Sequence, residues 1–180
     1  MKLLSRFIIV LILISFSQVT GQKKDYSNEP GYIEFGDMSS LESGEMVTEV
    51  LLEDNLLQMV AKLAQAKEPE LASLVNGLKL IKVNVFEVNN DNRAQIKSKM
   101  KSLQNDVSGK GWDRIVRVKD KEETADVFIK TSGDGIIGLL VMSLDEDNEA
   151  AFVNIVGNIN LETIGKLGEK FDIPSLDSLQ

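Results

Sequence analysis

The chain has 180 residues, with 28 acidic against 20 basic ones and a formal net charge of −8. It contains no cysteine and no histidine, which excludes a disulfide scaffold, thiolate or imidazole metal ligation, and Ser-His-Asp or Cys-His catalysis. The acidic balance argues against nucleic acid and against electrostatic docking on anionic lipid, both of which call for a basic face.

Lys2 and Arg6 precede an apolar run, Phe7 to Phe16, and a polar stretch ending in Val19-Thr20-Gly21. This is the three-part pattern of a secretory signal peptide. The run is about half the roughly 20 residues of a spanning helix. Residues 1–21 are therefore predicted to be removed, leaving an exported protein, periplasmic or secreted, with no stable membrane anchor. Lys2 and Arg6 leave with the segment, so the mature chain is more acidic still. No cysteine follows the run to carry a lipid, so a lipoprotein is not expected.

Residues 22–45 read as a polar, acidic lead-in, flexible before about Gly31, with Tyr32, Ile33, Phe35, Met38 and Leu41 as its apolar points. A single α+β domain is expected over 46–172, with a tail at 173–180. Met46 to Leu52 is the first strand candidate, and Glu53-Asp54-Asn55 supplies a helix start. Leu56, Val60, Leu63 and Ala64 form the expected inward face of that helix. A second helix runs from Pro69 to a stop at Gly77. Leu78 to Val88 is the clearest strand. Asn90-Asp91 opens a helix with the core stripe Ile96, Met100, Leu103 and Val107.

Four strands follow, at Trp112 to Lys119, Ala125 to Thr131, Gly135 to Leu144 and Ala150 to Ile159. Their short polar joints predict an antiparallel meander. Gly135 to Leu144 is apolar on both faces and is placed centrally. Asn160 caps a last helix that packs Leu161, Ile164 and Leu167 inward, with Phe171 closing its edge. The order is β-α-α-β-α-β-β-β-β-α. The predicted fold is a largely antiparallel sheet of about five to six strands with helices packed on one face. Strand order is not readable from the chain, although the first strand is a candidate edge.

Several constellations bear on chemistry. Asp145, Asp147 and Glu149 are the candidate metal ligands, since alternating carboxylates suit a hard cation. An EF-hand would need glycine and glutamate where Ala150 and Val156 stand, and a solvated hairpin turn is favoured. Ser98 to Lys101 matches Ser-x-x-Lys, and Lys130 to Gly133 is near Lys-Thr-Gly. No Ser-Asp-Asn element accompanies them, and Ser98 lies outside the core stripe. No two of the 28 acids are placed across a cleft by their spacing. Trp112, Arg114 and Arg117 form a candidate interaction surface for a sugar or a protein partner, against which stands a tryptophan packed over the sheet edge. The basic face over residues 93–101 reads as a solvated helix surface. Asn154 and Asn158 are candidate buried amides inside an apolar strand, to be satisfied internally or to line a pocket.

Leu57 to Leu63, Leu78 to Phe86, Gly111 to Val118 and Phe152 to Ile159 together resemble the bacterial family called "domain of unknown function 4252". Gly111-Trp112 and Asn154-Ile155-Val156-Gly157-Asn158-Ile159 are the most specific pieces, within a likeness spanning residues 45–170. The resemblance implies an exported protein of a family found largely in the Bacteroidetes and often lipidated, which this chain is not. It also implies an envelope-stress setting. It transfers no activity, cofactor or catalytic residue. The expectation is a non-enzymatic binding or interaction module with a protein or small-molecule partner in the cell envelope. The alternatives are a small carboxylate- or metal-dependent hydrolase and a small-ligand carrier.

Overall fold

A computed structural model describes residues 24–42, 47–120, 123–145 and 148–159. The expected signal segment, the helix predicted from Asn160 and the tail lie outside them. Six strands run in the expected order: β1 (Val47–Glu53), β2 (Leu78–Glu87), β3 (Trp112–Lys119), β4 (Thr124–Ser132), β5 (Gly135–Leu144) and β6 (Glu149–Ile159). They alternate with three helices: α1 (Asp54–Ala64), α2 (Pro69–Asn76) and α3 (Arg93–Val107). No helix among the described residues is long and apolar enough to cross a membrane.

Every strand pair is antiparallel, and the order across the sheet is β1-β2-β6-β5-β4-β3. The last four strands form the expected meander, β5 lies centrally, and β1 is an edge. Alternation along the strands divides the core in two. Phe128, Leu140, Met142, Leu144 and Phe152 share one cluster with Ile96, Met100, Leu103 and Val107 of α3. Val127, Leu139, Val141, Val153 and Ile155 share another with Leu57 and Ala61 of α1 and Val75 of α2. The α+β class, the antiparallel sheet and the element order are those expected from the sequence. The helices, expected together, divide between the two faces. The reason is physical: β5 and β6 are apolar on both sides, and one-sided cover would leave half of those side chains in water.

The buried line of α1 also differs from the expected one. Leu57 and Ala61 face the sheet, whereas Leu56 and Val60 are exposed and Leu63 is 78 % exposed. Apolar residues occupy more than half of this helix's circumference, so their period alone does not choose the buried side. With Met59, and with Val47 and Leu51 on the edge strand, they concentrate exposed apolar surface over residues 47–63.

Residues 24–42, the polar lead-in of the sequence reading, form a strap across the α3 face of the sheet. Lys24 pairs with Asp54, and Tyr26 packs on Leu80 and Val156. Phe35 meets Phe152 edge-on at 6.2 Å between ring centroids, and Phe86 meets Phe152 at 6.1 Å. Ile33, Phe35, Met38 and Leu41 belong to the α3-side core. Two buried amides fasten the strap. Asn154 Nδ2 donates to the carbonyls of Gly31 (3.0 Å) and Leu139 (3.1 Å), and its Oδ1 accepts the Ile33 N–H at 2.9 Å. Asn92 Nδ2 donates to the carbonyls of Leu41 and Glu87, while its Oδ1 accepts the Asn89 N–H.

Candidate functional site

Where α3 lies over the β3–β4 edge, its outer flank and the strands enclose a cleft of about 350 Å³. From the helix come Lys97, Lys101 and Gln104, spaced four and three residues apart and so on one side of it. From the strands come Arg117 with its cross-strand partner Asp126, and Lys119 with its partner Thr124. Met100, buried in the α3 stripe, forms an apolar wall. Each lining residue stands on a helix or a strand, and Asp126 joins the two elements. Its Oδ2 accepts from Gln104 Nε2 at 2.6 Å, and its Oδ1 faces Arg114 Nη1 at 3.4 Å.

Four cations therefore surround one carboxylate, in a chain with an excess of acids. Among the described residues none of Lys97, Lys101, Arg117 and Lys119 makes an ion pair within 4 Å. A second hollow, of about 420 Å³ beside Trp112, differs in balance: Lys110 and Lys130 face Glu29, Glu34 and Asp106 there. Among the described lining residues, the first gathers four cations against one carboxylate and the second two against three.

Asp126 is 1 % exposed. Burial pushes its carboxyl above the ordinary carboxylate value, against the opposing pull of Arg114 and Arg117 and the hydrogen bond from Gln104. A carboxyl whose pKa is higher folded than unfolded favours the native state most while protonated. Its contribution is lost as pH rises from the ordinary carboxylate range through the raised value. Asp126→Asn removes the buried charge and keeps one of the two acceptor oxygens, enough for Gln104 or Arg114 but not both. The melting temperature of the variant is expected to rise relative to that of the parent as pH goes from the acid range to 7, because only the parent must then bury a charge. Calorimetric melting across pH checks this; a constant difference between the two would refute it.

The sequence-predicted residues separate. Trp112 is 8 % exposed, inside the α3-side core, so Trp112, Arg114 and Arg117 do not make one exposed strip. Arg114 turns to Asp126 and lies over the Phe128 ring at 5.9 Å, and only Arg117 of the three lines the cleft. Asn154 is buried and satisfied within the fold. Asn158 is not buried: it is exposed one strand repeat beyond Val156, which packs under Tyr26. Asp145 Oδ1 accepts the Glu149 N–H at 2.8 Å and helps close the β5–β6 turn; Asp147 lies outside the described residues. Among the described residues no group of three or more acidic side chains is gathered to hold a metal. Ser98 is exposed on α3.

Sequence reasoning missed Asp126, Gln104, Lys119 and Thr124. The available signal was an aspartate inside Ala125-Asp126-Val127-Phe128-Ile129, since a charge amid an apolar strand needs a partner.

Fold and cleft together define a class, an α+β domain on an open six-stranded antiparallel sheet with a cationic cleft between a helix and one sheet edge. The chain belongs to the family described as "Domain of unknown function (DUF4252)", which matches residues 41–167, more than half of its length. No curated protein and no solved structure matches it. The matched span begins at Leu41, so most of the strap precedes it.

Proposed function

We propose that this is an exported cell-envelope protein that works by binding rather than by catalysis, and that its ligand is anionic and occupies the α3/β3–β4 cleft. The observation carrying this reading is the gathering of Lys97, Lys101, Arg117 and Lys119 around a 350 Å³ cleft in an acidic protein. At physiological salt the Debye length is about 8 Å, so distant acids are screened while cations a few ångströms from the ligand are not. The cleft's one carboxylate is held by Gln104 and Arg114, which suits positioning better than proton transfer. The N-terminal pattern of residues 1–21 supports export.

Titration of the protein with succinate and with inorganic phosphate, followed by amide NMR, tests the reading. Saturable shifts are expected at Lys97 to Gln104 and Arg117 to Asp126, weakening as salt rises. Lys97→Gln combined with Lys101→Gln, both exposed on α3, should abolish them without loss of fold. Shifts no larger than those from sodium chloride at equal ionic strength would end the proposal.

A further inference from the structure

We infer that the group the cleft takes is a phosphate, carried as a phosphomonoester on a small molecule or a headgroup. The inference rests on the anion-binding reading and adds the chemical class. Lys97 and Lys101 are four residues apart on α3, about 6 Å along its axis. Arg117 and Lys119 are two residues apart on β3, about 6.6 Å. Both pairs line the same cleft. One pair stands on the helix wall and the other on the strand wall, so an oxyanion between them can accept charge-assisted hydrogen bonds of about 2.8 Å from both sides.

The number and kind of charges select further. Asp126 is engaged by Arg114 and Gln104, and among the described residues none of the four lining cations has a carboxylate within 4 Å. One carboxylate would leave most of them unmatched, whereas a phosphomonoester brings close to two charges and three terminal oxygens to one point. Three of the four cations are lysines, compact point charges with freely rotating donors, and the arginine adds a planar fork. Thr124, directly across from Lys119, offers a hydroxyl donor at the same wall. The volume of about 350 Å³ exceeds that of a bare phosphate and falls in the range of small-ligand sites. Met100 supplies an apolar surface for what the phosphate is attached to.

Calorimetric titration of the purified protein with glycerol phosphate, inorganic phosphate and succinate tests the class. Sedimentation with phosphatidylcholine vesicles, with and without phosphatidic acid, tests the source. Glycerol phosphate is expected to bind one-to-one and at least tenfold more tightly than succinate, a dianion whose charge is split between two carboxylates. Lys97→Gln with Lys101→Gln, both exposed on α3, should lose at least tenfold in affinity at an unchanged melting temperature, and Lys62→Glu, on the opposite face, should lose none. Binding of phosphatidic acid vesicles without binding of glycerol phosphate would also support the phosphate class and assign it to a membrane headgroup. Succinate binding as tightly as glycerol phosphate would overturn the phosphate assignment and leave the anion site standing. Heat and sedimentation indistinguishable from blanks for every probe would overturn both.

Discussion

Replacing Asn154 with leucine should destabilise the protein by about 3 kcal/mol, although leucine has the same branching and number of side-chain heavy atoms and is more apolar. The amide sits at 0 % exposure and serves three backbone groups at once: the N–H of Ile33 and the carbonyls of Gly31 and Leu139. An unpaired buried polar group costs about 1–3 kcal/mol, and the strap groups cannot turn to water without lifting from the sheet. Burial of the leucine methyls returns about 1–2 kcal/mol, less than three orphaned groups take away. The loss should be local first. Hydrogen exchange at Ile33 should accelerate before that of β5 and β6, because the strap detaches while the sheet stays paired. Asn154→Asp separates the polar role from the packing: its carboxylate can accept from Ile33 but meets two carbonyls without a donor, so at neutral pH it should be at least as damaging. Equal urea midpoints for the parent and the leucine variant would refute this account of the strap.

How much of this was readable in advance depended on whether the determining contact was local. The α3 stripe Ile96, Met100, Leu103 and Val107 was visible because four apolar residues stand in an otherwise polar helix, and all four are buried. In α1 the same reasoning chose Leu56, Val60 and Leu63, since apolar residues were too many for periodicity to discriminate. The cleft was hidden for another reason. Arg114 and Arg117, three residues apart on a regular strand, would point to opposite faces. The β3–β4 register shifts between Arg114 and Val116, setting Arg114 against Phe128 and Arg117 against Asp126, on the same face. A bulge of that kind depends on pairing with a particular neighbour, and composition carries no trace of it. The strap was hidden likewise. Its apolar residues are visible singly in the sequence, but their value comes from Asn154, Asn92 and Phe152, far along the chain.

The same bulge explains why the cleft can be both charged and well ordered. By turning Arg117 and Lys119 to the α3 side, it places two cations opposite Lys97 and Lys101 while Val116 stays against the other core. Their mutual repulsion is tolerable because the four side chains reach solvent and because Asp126 sits between helix and strand. An oxyanion entering the cleft would relieve that repulsion, so ligand binding and stability should rise together.

Gly138→Ala is the other substitution expected to act strongly, at about 2–3 kcal/mol, through crowding rather than lost hydrogen bonds. The strap crosses β5 with backbone laid directly on backbone. A Cβ on Gly138 would stand 2.6 Å from Gly31 Cα, 2.9 Å from the Gly31 carbonyl oxygen and 2.7 Å from Trp112 Cη2. A Cβ on Gly31 would stand 2.0 Å from the Ile137 carbonyl oxygen. Neither strap nor sheet has a flexible side-chain end to yield at this point, so either the strap lifts or the indole swings out. Trp112 is the single tryptophan of the chain and lies within 6.0 Å of the Lys130 ammonium, so its fluorescence reads the site without a label. The variant should show red-shifted emission together with a lower urea midpoint. Gly31→Ala should reproduce both effects, and the double variant should cost clearly less than the two singles combined, because a strap already lifted by one methyl is not lifted again by the second. Unchanged emission in Gly138→Ala would mean that Trp112 does not lie over this crossing, and full additivity would mean that the two glycines do not meet.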